Sequence, residues 1–324
     1  MSAPYTITEI GGSTFVLYPD GTAYTMGGGT VEANCTISVC PVALSVYGYR
    51  PSLPGSIALI ALYGLCALIQ VVMGWRYKTW GFMAAMLLGC ADEIMGYVGR
   101  ILYYQNPWGE AGFLMQIVLI TMGPVFFCAA IYVMIYKIIH YVDPSIARFN
   151  PRFIYWGFLT CDLIALTLQA VGGAMSSTSD GASQVGVNIA LAGLAFQVAT
   201  LTCFSAVVTD YAIRSRHAVA KHGVNRRFKL FAGFLSLAIL TIFIRCCYRV
   251  FELSEGYSST SKALRDEPLF IGLESVMVIV AAYALIVAHP GPVFNRGIDG
   301  PAEQERIAAG EKTRQALGAS SESE

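Results

Sequence analysis

Charge is what this sequence has least of. Only 13% of its 324 residues are Asp, Glu, Lys or Arg, about half the roughly 25% usual in soluble domains. With 55% hydrophobic residues and a mean hydropathy of +0.57, the chain cannot cover a water-facing surface. It can cover a lipid-facing one. The length would suit about two soluble domains, but here it suits one helix bundle with modest termini. Charge of one sign is missing too: 21 basic and 21 acidic residues cancel, and nothing points to nucleic acid.

Further absences narrow the chemistry. There is no Walker-type glycine loop, which excludes an ATP-driven pump within this chain. HExxH and paired CxxC patterns are absent. The four histidines, His140, His217, His222 and His289, fall at the ends of helices opposite most of the acids. A seven-helix zinc hydrolase needs three histidines converging with an acid, so no metal, cofactor or catalytic residue is expected. The last apolar stretch has no lysine for a retinal Schiff base. The third ends in YKIIHY rather than in the arginine motif of G-protein-coupled receptors. The first 50 residues lack the basic start and apolar run of a signal peptide, so the first membrane helix must direct its own insertion. No internal repeat is found.

What is present is seven apolar stretches, at about 54–75, 80–104, 112–140, 153–175, 185–211, 229–253 and 267–288. Each meets the requirement of about 20 apolar residues for a transmembrane helix. Breakers lie between them: Pro51 and Pro54, Asn106-Pro107, Asp143-Pro144, Asn150-Pro151, SSTSDG, and His289-Pro290-Gly291-Pro292 after the last. The chain is therefore read as an all-α, polytopic seven-helix bundle at 51–294. An extracellular segment at 1–50 precedes it and a cytosolic tail at 295–324 follows. The segments at about 1–30 and 298–324 are poor in apolar residues and are expected to be disordered.

Orientation follows from Lys and Arg in the short connections. One set carries Arg76, Lys78, Arg148 and Arg152, then the basic stretch 214–229 and the tail from Arg296. The other carries Glu110, Asp180, Glu255, Asp266 and Glu267, with only Lys262 and Arg265 as bases. The basic set is expected in the cytosol, which puts the amino terminus outside. Two features agree. Asn34-Cys35-Thr36 is the sole N-glycosylation sequon, usable only in the secretory lumen. Cys35 and Cys40 lie close together in the same segment, where a disulfide is allowed, although two free thiols remain open. The other seven cysteines sit within helices as small apolar packers. The basic stretch 214–229 is a topogenic signal that could also meet anionic headgroups or a cytosolic partner.

Ionisable groups at bilayer depth cost about 2.5–3.5 kcal/mol each on insertion scales, so they turn inward and are functional suspects. The second helix carries Asp92, Glu93 and Arg100; the third Gln116; the fourth Asp162 and Gln169. The fifth carries Gln197, the sixth Arg245, Arg249 and Glu252, and the seventh Glu274. Glu93 and Arg100 are seven apart and share a stripe. Arg245, Arg249 and Glu252 fall at i, i+4 and i+7, again one stripe. Asp162 and Gln169 repeat the seven-residue spacing. Arg100, Gln116, Gln169, Arg249, Glu252 and Glu274 fall in the outer half, with Glu93, Asp162 and Gln197 near the midplane. This predicts a polar cavity opening outward and closing near the middle. Structural ion pairs are the plainer account of any one pair. The set as a whole leaves five acids against three arginines, an excess that suits a protonated acid or a cationic ligand. Gly123-Pro124, midway along the third helix, is expected to kink or break it.

These polar segments resemble the fungal lipid-translocating exporter family, the seven-helix RTA-like proteins tied to resistance to aminosterols and sphingoid bases. The resemblance runs from about Tyr47 to Phe294. It rests on YGYRPS (47–52), ADEIMGYVGR (91–100), GPVFFCAAIY (123–132), CDLIALTLQAVGG (161–173), AGLAFQ (192–197), RCCYRVFEL (245–253) and AHPG (288–291). One departure concerns the outer site: the family pattern has Asp with an aromatic three residues earlier, where this chain has Glu274 and Ile271. The resemblance implies a plasma-membrane protein that moves amphiphilic lipids, notably long-chain amine bases, and confers resistance to them. Some relatives are linked to porphyrin uptake and others to sensing, which is the alternative reading. On this basis Glu93, Asp162, Glu252 and Glu274 are the expected head-group or proton-coupling carboxylates. Arg100, Arg245 and Arg249 would organise them, with Gln169 and Gln197 beside them.

Overall fold

In the computed structural model the described residues are 5–10, 13–26, 34–142, 146–178, 184–221, 226–254 and 265–294. Seven helices among them are long and apolar enough to cross a membrane. The shortest has 25 residues, about 37 Å at 1.5 Å per residue, which exceeds the roughly 30 Å hydrocarbon core. They are α1 (Leu53–Tyr77), α2 (Trp80–Gln105), α3 (Glu110–Val142), α4 (Pro151–Thr178), α5 (Gln184–Lys221) and α6 (Arg226–Ser254). The seventh span is composite: α7 (Glu267–Phe270), a π-helical stretch (Ile271–Val276) and α8 (Met277–Val287), followed by a short α9 (Pro290–Phe294).

Local chemistry sets the helix ends. Ser52 caps α1, its side chain accepting from the Gly55 N–H, with Pro54 in the first turn where no N–H is needed. Lys78 adopts a left-handed conformation at the end of α1 (φ 55°), and Thr79 N donates back to Gly74 O. Two residues thus turn the chain, and α2 returns against α1. Asp266 caps α7 by accepting from Leu269 N.

Close helix contacts depend on glycine. On α2, Gly89, Gly96 and Gly99 meet Phe127, Ile120 and the Gln116 backbone of α3; a Cβ would lie 2.6–2.8 Å from them. Between α4 and α5, a Cβ on Gly172 would lie 2.4 Å from Ala190 N. Without a hydrophobic drive between helices in lipid, such small residues are what lets backbones approach. Gly172→Ala is therefore expected to lower thermal stability by about 1–3 kcal/mol through overpacking. Gly157→Ala, which meets nothing within 4 Å, should be neutral. Melting of both variants by fluorescence-detected size exclusion checks this; equal melting would remove the packing argument.

Three expectations need correction. The first 30 residues are not without structure. β1 (Thr6–Ile10), β2 (Ser13–Leu17) and β3 (Ala23–Thr25) form an antiparallel meander, with Thr6 opposite Leu17 and Phe15 opposite Thr25. The signal was present: Gly11-Gly12 and Asp20-Gly21 separate short runs rich in β-branched residues, and Gly21 has φ +82°. Next, of the kink or break expected at Pro124, the break is absent, since α3 is assigned as one helix through it; a π-helical stretch lies in the seventh span instead. Last, the basic stretch 214–229 is mostly helix, because α5 continues to Lys221 and α6 starts at Arg226. Its Ala-, Arg- and Lys-rich sequence favours continued helix.

Cys35 and Cys40 are joined by a disulfide with Cα atoms 5.6 Å apart, and Trp108 packs on it beside Tyr24, Met26 and Val42. The amino-terminal segment thereby sits over the α2–α3 connection. Arg50 stacks on the Tyr104 ring at 3.9 Å and donates to Tyr104 O. Asn34 is exposed, its Oδ1 accepting from Thr25 N at 2.8 Å. The tail 295–324, and Asp180, Glu255 and Lys262 of the acidic connections, lie outside the described residues.

Candidate functional site

The polar residues form a layer in the half of the bundle that holds the α2–α3 connection and the start of α7. Its centre is Arg245 on α6. Arg245 Nε and Nη2 both donate to Glu274 Oε1, at 2.9 and 2.6 Å, and both side chains are sealed from solvent. Nη2 also donates to the Ile120 carbonyl on α3 at 2.8 Å. Ile120 stands four residues before Pro124, whose missing N–H leaves that carbonyl without its helical donor. The guanidinium supplies the donor instead. This is the physical reason α3 tolerates its proline: the freed acceptor is satisfied and ties α6 to α3.

The residue before that proline has its own task. Glu93 on α2 lies against Gly123, where a Cβ would come within 2.5 Å of Glu93 Oε1. Glu93 is fully buried, and among the described residues neither of its oxygens has a hydrogen-bond partner. Gly123-Pro124 is thus a notch for one carboxyl beside a carbonyl made free for a guanidinium.

Around this centre the helices are joined in pairs. One turn along α6, Arg249 Nη1 donates to Glu252 Oε2 at 2.5 Å and its Nη2 donates to Thr121 Oγ1 at 2.7 Å. Arg100 on α2 pairs with Glu267 at 3.4 Å, donates to Tyr49 Oη at 3.3 Å and lies 4.2 Å above the Phe270 ring. Glu267 also accepts from Ser52 N at 2.6 Å, so one carboxylate gathers α1, α2 and α7. Burial holds the Tyr49 phenol above its ordinary value, against the opposing pull of Arg100, so it stays protonated. Between α3 and α4, Tyr132 Oη donates to Asp162 Oδ2 at 2.6 Å. Between α4 and α5, Gln169 Nε2 donates to Gln197 Oε1 at 2.9 Å.

All nine candidate residues are in the bundle interior, but the pairing differs from the stripes. Glu93 and Arg100 do not pair, since Arg100 takes Glu267. Sequence reasoning had left Glu267 among the connection acids; its place just inside a helix start after Asp266-capped backbone was the available signal. Tyr132, Thr121 and the Ile120 carbonyl were also missed, and only Pro124, four residues on, marks that carbonyl. Among the described residues a crevice of about 50 Å³ lies between α3, α4, α5 and α6, with Thr121, Gln169 and Arg249 among its lining residues. Each of the three buried arginines now has a carboxylate, which leaves Glu93 and Asp162 as the deeply buried acids outside any ion pair among the described residues.

Seven apolar spans around a buried layer of ion pairs define a polytopic membrane protein with the kind of charged interior that lines substrate, ion or ligand sites. A family model described as "RTA1 like protein" matches residues 86–297, and the chain belongs to this family. A protein named sphingoid long-chain base transporter RSB1, from Saccharomyces cerevisiae, is 28% identical over 288 residues, covering 77% of this chain and 75% of the relative. Protein RTM1 from the same species is 25% identical, covering 68% and 73%. A lipid-translocating exporter-like protein RTA1 from Leptosphaeria maculans is 25% identical, covering 78% of this chain and 52% of the relative. No solved structure matches the chain.

Proposed function

We propose that this chain exports or translocates an amphiphilic lipid or lipid-like toxin of the long-chain amine type. It does so at the plasma membrane, without catalysis or ATP hydrolysis of its own, and confers resistance to the compound it moves. The names of two relatives support lipid export. One observation in the bundle carries the amine: two buried carboxyls, Glu93 and Asp162, make no ion pair among the described residues. An ionised carboxyl left so at bilayer depth is costly, and an ammonium or a proton relieves that cost. Glu252 and Glu274 can be reached by an amine only in competition with Arg249 and Arg245. Purified protein in liposomes tests the reading: labelled long-chain base should cross faster than in protein-free vesicles, with no product formed. A chemically altered lipid would show an enzyme instead.

The narrow crevice favours a second reading, in which the bundle senses a lipid or porphyrin and signals through a cytosolic partner at 214–229. Binding without flux in the same vesicles would select it.

The orientation is part of the proposal: Asn34 outside and glycosylated, the tail after Arg296 in the cytosol. The lysine and arginine asymmetry supports it. Asn34→Gln should abolish a glycan-dependent gel shift. A carboxyl-terminal tag cut by protease on intact cells would overturn the orientation.

A further inference from the structure

At the opposite end of the bundle, where α3 ends and α4 begins, a crevice of about 280 Å³ opens between α3, α4 and α5. It is several times larger than the crevice in the polar layer and close to the size of small ligand sites. Its wall is hydrocarbon, with Ile135, Ile139 and Val207 inside and Arg148 and Asp210 at the mouth. Asp210 is gripped from two sides, by Arg148 Nε and Arg214 Nε, each 3.1 Å from Oδ2. Two guanidiniums against one carboxylate leave one positive charge in excess among these three side chains. Each guanidinium carries five N–H donors, more than one carboxylate can use. Both arginines stay about half exposed. Phe149 lines the crevice and is exposed, and Trp156, also exposed near the start of α4, is of the kind that marks headgroup level in a membrane.

We propose that this crevice is a binding site for a phosphate-bearing membrane lipid of the leaflet at that end. Its phosphate bridges Arg148 and Arg214, and the first part of an acyl chain lies along Ile135, Ile139 and Val207. Basic pockets between transmembrane helices take anionic headgroups in this way. The site is separate from the export reading: a cationic amine would meet the excess positive charge and be repelled. Asp210, on which both guanidiniums converge, competes with that phosphate for their donors.

Native mass spectrometry of the full chain, purified in detergent and offered equal dioleoyl phosphatidylglycerol and dioleoyl phosphatidylcholine, tests this. The wild type should retain phosphatidylglycerol at least fivefold over phosphatidylcholine. Removing each arginine should lower that preference about fivefold, so Arg148→Gln with Arg214→Gln should abolish it. Val207→Trp, which fills the crevice, should weaken retention while leaving the charges in place. Asp210→Asn should raise retention severalfold, an outcome opposite to that for a cation site or a purely structural ion cluster. That variant decides the matter even if the double arginine variant fails to fold. Equal retention of the two lipids by wild type, or loss of retention in Asp210→Asn, would overturn the site. Displacement by equimolar glycerol 3-phosphate would assign it to free phosphate and sink the lipid proposal.

Discussion

Arg245→Ala is expected to leave little folded protein, with yield from membranes falling severalfold while the exposed-site variant Arg216→Ala stays at the wild-type level. Arg245 is sealed from solvent and joins three helices through Glu274 and the Ile120 carbonyl. Removing it strands a buried carboxylate and reopens the acceptor that Pro124 leaves free. Breaking a buried pair costs about 3–5 kcal/mol, a large share of the 5–15 kcal/mol that a folded domain has in total. Arg249→Ala should be milder, because Arg249 is more exposed (11%) than Arg245. The double change Arg245→Met with Glu274→Leu discriminates further. Apolar packing in place of a buried pair is often neutral or stabilising, so yield should recover. If flux recovers as well, the pair is structural. If yield recovers and flux does not, the pair belongs to the transport mechanism. Unchanged yield in Arg245→Ala would show that the layer is not buried in the membrane.

Glu93→Gln is expected to fold normally and lose export of amines. Glu93 has no ion pair to break, and Gln matches its size in the Gly123 notch. A carboxylate–ammonium contact is worth about 1.5–3 kcal/mol, so affinity for a long-chain base should fall about ten- to hundredfold. Cells carrying the variant at wild-type surface levels should lose protection against a toxic amine and keep any protection against neutral amphiphiles. Gly123→Ala, whose Cβ would press on Glu93 Oε1, should reduce amine flux in the same direction. Full resistance in Glu93→Gln would make Glu93 a packing element. Of the four carboxylates expected from the sequence, Glu252 and Glu274 are paired with arginines, which makes Glu93 and Asp162 the first to test. Glu274→Gln should instead lower yield, because it leaves Arg245 charged and buried.

The seven spans were legible because lipid imposes a length and a composition on each segment separately. The inward polar stripes were legible for the same reason: a charge seven residues from another on one apolar helix has only the interior to face. The sheet at Thr6–Thr25 is poorly legible in the sequence because its low hydrophobicity resembles that of an unstructured tail, although Gly11-Gly12 and Asp20-Gly21 mark its turns. Glu267 was overlooked because a residue at a helix start looks like part of a connection until the helices are brought together.

Helix number, the identity of the buried charges and a pattern of basic connections that argues for orientation came from sequence alone, since each depends on residues close in the chain. Which carboxylate meets which guanidinium was decided only by the fold. Arg245 with Glu274, Arg100 with Glu267 and Glu93 against Gly123 are separated by 29, 167 and 30 positions, and their pairing depends on helix depth and rotation. Those are set by where glycines such as Gly96, Gly99 and Gly172 let two backbones touch. The role of Pro124 shows the same division. Its missing N–H is written in the sequence, but the donor that answers the Ile120 carbonyl comes from another helix, 125 residues away.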